Sequence, residues 1–116
     1  MKLQTEQSIQ QQIFIWYNNT FCLKHHNPRN LIFAVPNGGT RNIREAMTLK
    51  NTGVLSGVSD LIVIHNGKVL FIEVKLPNGI QSTSQLEFEQ RIKALGFDYY
   101  LIRSIEEFKT IIYNQI

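Results

Sequence analysis

Apolar residues recur along this chain with two periods, and the periods divide it into elements. Ile9, Ile13, Trp16 and Tyr17 fall at i, i+4, i+7 and i+8, one stripe of a helix running from about Thr5 to Thr20. Asn18-Asn19-Thr20 weakens that helix, and Lys24 to Asn30, with Pro28, reads as a loop. Leu31 to Val35 is a short apolar strand stopped by Pro36-Asn37-Gly38-Gly39. Arg41 to Lys50 predicts another helix, with Ile43, Met47 and Lys50 on one side, before Gly53 and Gly57 break the chain.

The central part is the most readable. Asp60 to Ile64 and Val69 to Lys75 are strand-like runs separated by His65-Asn66-Gly67-Lys68. Asn-Gly between such runs predicts a type I′ hairpin. Past Pro77-Asn78-Gly79, Ser82 to Leu95 predicts a helix bearing Leu86, Phe88, Ile92 and Leu95, with Gly96 as its C′ residue. Phe97 to Ile102 is the last strand, and Ser104 with Glu107 forms a capping box for a final helix bearing Ile105, Phe108, Ile112 and Ile116. The third strand, the following helix and the last strand make a β-α-β unit, so the fold class is α/β, a mixed β-sheet flanked by helices. No linker divides the chain, and residues 1–116 read as a single domain.

Composition narrows the class. Hydrophobic residues make up 43% of the chain, too many for a disordered segment. The longest apolar runs, such as Ile13 to Tyr17, fall far short of the ~18–20 residues of a membrane span. The N-terminal residues lack the basic-then-apolar layout of a secretory signal, so the expected location is cytoplasmic, that of a bacterial host for a phage-encoded chain. The single cysteine, Cys22, permits no internal disulfide and reads as a small buried hydrophobe. Charge is uneven: residues 1–59 hold six bases and two acids, and residues 60–116 hold six bases and seven acids. A basic half suits either a polyanion partner or a merely solvated surface.

The hairpin supplies the candidate chemistry. With Asn66 and Gly67 at the turn, His65 opposes Lys68, Ile64 opposes Val69, Ile62 opposes Phe71 and Asp60 opposes Glu73. Opposed Cβ atoms lie roughly 4.5–5.5 Å apart on one face, and the period of two puts Lys75 on that face as well. Two opposed carboxylates beside apolar strands repel, and a divalent cation resolves the conflict. Oxygen ligands suit Mg²⁺ or Mn²⁺, and the peptide carbonyl of Val74 offers another oxygen. Lys75 would orient or activate a water, or stabilise charge on a phosphate. The alternative is an ordinary Glu-Lys ion pair at a wet strand edge.

Asp60, twelve residues, then Glu73-Val74-Lys75 resembles the catalytic motif of the PD-(D/E)XK nuclease superfamily. With Asn37-Gly38-Gly39-Thr40-Arg41, Gly53 through Leu61, Phe71 to Lys75 and Ser84-Gln85, the chain resembles the VRR-NUC family, the virus-type replication-repair nuclease domain. That domain occurs as stand-alone phage proteins and as the nuclease module of the Fanconi-associated nuclease, and this chain looks like a minimal stand-alone member. The resemblance implies a restriction-endonuclease-like αβββαβ core, in line with the element order above. It implies that Asp60, Glu73 and the Val74 carbonyl bind metal, that Lys75 is catalytic, that Glu6 adds to the metal site, often through water, and that Gln85 assists. Ser59 departs from the pattern, standing where proline often precedes the aspartate.

Each accessory residue has a plainer role too. Glu6 suits the first turn of a helix electrostatically, and Gln85 completes a capping box with Ser82. Asn37-Gly38-Gly39 is a turn, or with Arg41 and Arg44 a DNA-contacting loop in which Asn37, Gly38, Arg41 and Arg44 touch phosphate. His25 and His26 are adjacent and read as surface residues, His65 as a turn residue without catalytic role, and Trp16 and Tyr17 as core or dimer contacts. The expectation is a metal-dependent DNA endonuclease, and the resemblance to stand-alone family members implies a homodimer selective for branched DNA such as four-way junctions. The alternatives are a non-catalytic nucleic-acid-binding module, an interaction domain with a structural cation site, and a sequence-specific restriction-type endonuclease cutting duplex DNA.

Overall fold

Asn66 and Gly67 turn the chain with φ of 51° and 87°, the pair of left-handed residues that a type I′ turn demands. They join β2 (Leu61–His65) to β3 (Lys68–Val74) in antiparallel register, with Leu61 opposite Ile72, Ile62 opposite Phe71 and His65 opposite Lys68. The structure, a computed structural model, describes residues 4–23, 29–36 and 51–115. The helix expected over Arg41–Lys50, the Asn37-Gly38-Gly39 loop, and His25 and His26 lie outside the described residues.

Helix α1 (Glu6–Tyr17) begins at a capping box: Thr5 Oγ1 accepts from the Ser8 N–H, and Ser8 Oγ accepts from the Thr5 N–H, both at 3.0 Å. A helix continuing to Thr20 was expected, but α1 widens into a π-helix, Asn18–Leu23. The wider turn brings Phe21 against residues four and five positions back, with ring centroids 5.1 Å from Tyr17 and 5.7 Å from Trp16. Aromatic packing therefore decides the end of this helix, and the polar Asn18-Asn19-Thr20 accommodates it. Tyr17 is a fully buried core residue, and Trp16 is partly buried against the same core.

Strand β1 (Leu31–Ala34) pairs antiparallel with β2. After β3 the chain crosses through α2 (Thr83–Ala94) to β4 (Asp98–Ile102), which pairs parallel with β3, and ends in α3 (Ile105–Tyr113). The sheet order is β1-β2-β3-β4, three antiparallel strands and one parallel, as the β-α-β reading requires. Ser104 Oγ accepts from the Glu107 N–H at 3.2 Å, the forward half of the expected capping box.

The two faces of the sheet bury different clusters. Ile9, Ile13 and Tyr17 of α1 and Phe108 and Ile112 of α3 pack on Leu61, Val63, Leu70, Ile72, Val74 and Ile102. On the other face, Phe88 and Ile92 of α2 pack on Phe71 and Tyr99, with Val58 beside them. Leu86 and Leu95 were expected on that core stripe but stand 45% and 70% exposed. Phe88 and Ile92, four apart, already face the sheet, so Leu86 falls on the far side of the helix. The helix ends in a Schellman motif: Gly96 N–H donates to Lys93 O and Phe97 N–H to Ile92 O, with Gly96 at φ 89°.

At the turn end of the sheet a buried polar set ties helix to hairpin. The Tyr17 hydroxyl lies 2.9 Å from His65 Nδ1. The Asn30 side chain accepts from the Asn66 N–H at 3.0 Å and donates to Phe21 O at 3.3 Å. Burial pushes the His65 pKa down, so folding favours the neutral ring. The stability this residue contributes is complete above the ordinary histidine pKa of about 6.5 and is lost as pH falls below it. Thermal melts at pH 7.5 and 5.5 should show a larger acid-side drop in Tm for the wild type than for His65→Gln. Glutamine keeps an acceptor for Tyr17 without titrating, and every other group is common to both proteins.

Candidate active site

Three pieces of backbone converge at the far end of the β2–β3 hairpin. The ladder stops at Leu61, because the Asp60 side chain rather than its backbone meets β3: Asp60 Oδ2 accepts from the Val74 N–H at 2.8 Å. Asp60 still holds β1 through its own carbonyl, which accepts from the Val35 N–H at 2.9 Å. On β3, Lys75 N–H donates to Ile102 O on β4 at 3.0 Å, so the alternation of the strand turns the Val74 N–H and carbonyl toward β2 and Asp60. Asp60, Glu73 and the Val74 carbonyl thus meet at one place.

Glu73 is 1% exposed, and its Oε2 has no hydrogen-bond partner. Its Oε1 accepts from Gln85 Nε2 at 3.4 Å. Burial raises its pKa to about 9, helped by a hydrogen bond and charge repulsion from Asp60; Lys75 pulls the other way, and Glu6 adds a smaller push upward. Two things satisfy the lone Oε2: a proton shared with Asp60, or a cation.

Gln85 both caps α2 and reaches Glu73. It stands at the start of α2, where Ser82 Oγ accepts from its N–H at 3.2 Å and its Oε1 accepts from the Ser82 N–H at 2.8 Å. With Oε1 committed to the capping box, Nε2 is the end left to face Glu73. The loop before β2 presses on this turn. Gly57, at φ 82°, lies so close that an added Cβ would stand 2.2 Å from the Ser84 carbonyl oxygen.

On the other side, Arg103 at the end of β4 grips the loop that follows Lys75. One guanidinium nitrogen donates to Leu76 O at 2.6 Å and Gly79 O at 2.8 Å, with Pro77 O at 3.2 Å. The Tyr99 hydroxyl accepts from Gln81 Nε2 at 3.1 Å. Burial, then the charge of Glu73, pushes the Tyr99 pKa well above the tyrosine range.

The sequence model of the VRR-NUC domain family matches residues 3–106. The chain belongs to the VRR-NUC family. Two solved structures share the fold. One, titled "VRR_NUC domain protein", is 21% identical with a TM-score of 0.74, over 100% of this chain and 91% of its own. The other, titled "VRR_NUC domain", is 19% identical with a TM-score of 0.64, over 96% of this chain and 97% of its own. No curated protein matches the chain in sequence. Membership makes this a nuclease-type domain, and among the described residues no helix is long and apolar enough to cross a membrane.

In this VRR-NUC domain the structure brings together Asp60, Glu73, Val74, Lys75 and Gln85. Glu6 is near enough for Glu73 to feel its charge, yet among the described residues no three His, Cys, Asp or Glu side chains form a ligand group. Asn37, Gly38, Arg41 and Arg44 lie outside the described residues. Sequence reasoning did not assign Arg103 or Tyr99 to this region. An arginine after a strand carries no local signal, and Tyr99 reads as one more aromatic in an apolar strand.

The donor set fits a hard divalent cation such as Mg²⁺ or Mn²⁺: two carboxylates and a carbonyl, all oxygen, with one buried oxygen unsatisfied. In metal-free protein the sign of the Glu73 effect follows from its raised pKa. Both states are protonated at low pH, the unfolded chain alone releases the proton above about 4.5, and stability falls as pH rises toward about 9. In EDTA at pH 8, Glu73→Gln should therefore melt higher than the wild type by about 5 °C or more. Mn²⁺ should raise the Tm of the wild type and leave the variant nearly unchanged. Gly57→Ala should lower Tm and cut activity together, because the clash falls on the backbone that carries Gln85; about 2 kcal/mol or more of stability is expected to go.

Proposed function

We propose that this VRR-NUC domain is a metal-dependent DNA endonuclease that hydrolyses phosphodiester bonds, with branched DNA such as four-way junctions as its preferred substrate. The observation that carries the reading is the buried Glu73 carboxylate held against Asp60 with one oxygen unsatisfied. A purely structural pair has no use for such an arrangement, which costs stability as it stands.

Asp60, Glu73 and the Val74 carbonyl would hold Mg²⁺ or Mn²⁺, with Glu6 adding to the site through water. The bound cation supplies Lewis-acid charge for the phosphate and the leaving oxygen. The remaining work falls to the chain's own groups. Gln85 Nε2 donates to Glu73 Oε1 and fixes that carboxylate, and the Asp60 carboxylate is fixed by the Val74 N–H. Lys75, whose ammonium acts on Glu73, presents its charge to the scissile phosphate and orients the attacking water. In the reaction the water oxygen bonds to phosphorus, the bond to the leaving sugar oxygen breaks, and that oxygen takes up a proton.

Backbone and shape readout suits a nuclease that selects a DNA structure rather than a sequence. Asn37, Gly38, Arg41 and Arg44 are proposed to contact DNA. A homodimer presenting two sites across a two-fold axis suits paired cuts at a junction, and the cytoplasm is the compartment consistent with this substrate.

The test is cleavage of labelled four-way-junction, flap, linear-duplex and single-stranded DNA in Mn²⁺, Mg²⁺ or EDTA. Cutting should need metal. Glu73→Ala and Lys75→Ala should each lose about 100-fold or more, and Gln85→Ala about 10-fold, as expected for a group acting through a ligand. Tight DNA binding with no cutting under either metal would overturn the catalytic reading and leave a binding module.

A further inference from the structure

Helix α1 carries a second stripe besides its core face. Gln7, Gln10, Gln11 and Phe14 stand at i, i+3, i+4 and i+7, whereas the core stripe is Ile9, Ile13 and Tyr17. The second stripe, with Ala34 of β1 and Leu61 of β2, lines a cleft of about 440 Å³. That volume falls within the roughly 300–1,000 Å³ of small-ligand sites. Two lining residues adjoin the proposed metal site in sequence: Gln7 follows Glu6, and Leu61 follows Asp60. Through these two neighbours the cleft lies one residue along the chain from two groups of the proposed site.

Its chemistry selects among occupants. Its described lining is neutral, three carboxamides with Phe14, Ala34 and Leu61. An apolar chain would leave three carboxamides desolvated at about 1–3 kcal/mol each. Among the described residues none of the three carboxamides is engaged in a hydrogen bond, and Phe14 is 39% exposed. A glutamine amide offers two donors and an acceptor, the complement of a base edge. An exposed phenylalanine offers a face on which a base stacks.

The geometry points to a nucleobase subsite: an unpaired base of the substrate strand enters this cleft, stacks on Phe14 and is hydrogen-bonded by Gln7, Gln10 and Gln11. The inference rests on the nuclease reading for its substrate and deepens it, because it gives the enzyme a way to recognise strands that leave the duplex. It names residues that set substrate choice without touching the reacting atoms.

Fluorescence anisotropy in EDTA, where nothing is cut, tests it with three DNAs: a duplex bearing a four-adenosine tail, the same duplex with an abasic tail, and a blunt duplex. The wild type should bind the adenosine tail about tenfold more tightly than the abasic one. Phe14→Leu and Gln10→Leu should each remove most of that preference while blunt-duplex affinity stays unchanged, and Phe14→Tyr should retain it. Circular-dichroism melts check that the variants fold. Equal affinity for the two tails in the wild type, or a preference that survives both variants, overturns the subsite. Cleavage of the same DNAs in Mn²⁺ separates the two readings. Cutting without base preference overturns the cleft alone, and base preference without cutting supports the cleft and overturns the nuclease. A protein that binds none of the DNAs overturns both.

Discussion

A buried carboxylate pressed against a second carboxylate is the constraint around which the rest of this structure is arranged. Glu73 stays in place because β3 continues past the point where β2 has stopped pairing, and because the Asp60 side chain takes over the Val74 N–H that the ladder would have satisfied. One side chain thus caps a strand and supplies half of an ionisable pair. The cost shows in the unsatisfied Oε2 and in a pKa raised to about 9. Natural proteins keep such groups where chemistry requires them.

Around this pair β3, the first turn of α2 and the flanking loops meet, each fastened through backbone groups. The first turn of α2 brings Gln85, and the capping box with Ser82 decides which end of its amide faces Glu73. The loop before β2 reaches that turn at a distance only glycine permits, at Gly57. Arg103 fastens the loop after Lys75 through three carbonyls. Backbone contacts of this kind fix the position of each surrounding group. At the other end of the sheet, Tyr17, His65, Asn30 and Asn66 do similar work without chemistry. They fix the hairpin turn to the helical layer, so the register that sets Asp60 against Glu73 is secured from both ends.

The hairpin was legible from sequence because two adjacent residues with positive φ leave a type I′ turn little alternative. Once Asn66 and Gly67 are the turn, the period of two assigns every opposed pair down to Leu61 and Ile72. The β-α-β crossover was legible for a similar reason, as a helix between strands in one small sheet imposes parallel pairing. The end of α1 was not. Local pattern ends a helix where polar residues weaken it, but here Trp16, Tyr17 and Phe21 draw the chain into a π-helix through contacts with α3 and His65. Leu86 and Leu95 misled in the same way, because an apolar residue on a short helix does not say which face the sheet will cover.

By itself the sequence determined the turn, the strand register, the caps of the helices and the presence of an Asp60, Glu73 and Lys75 set on one face. These follow from backbone sterics and from the periods of strand and helix, which act over a few residues. Only the tertiary structure decided that Glu73 is buried with one oxygen unsatisfied, that Gln85 serves both a cap and a carboxylate, and that Gly57 and Arg103 hold the surrounding loops. Those outcomes depend on which elements meet in space. Desolvation and close backbone approach are properties of the assembled fold, and no local pattern carries them.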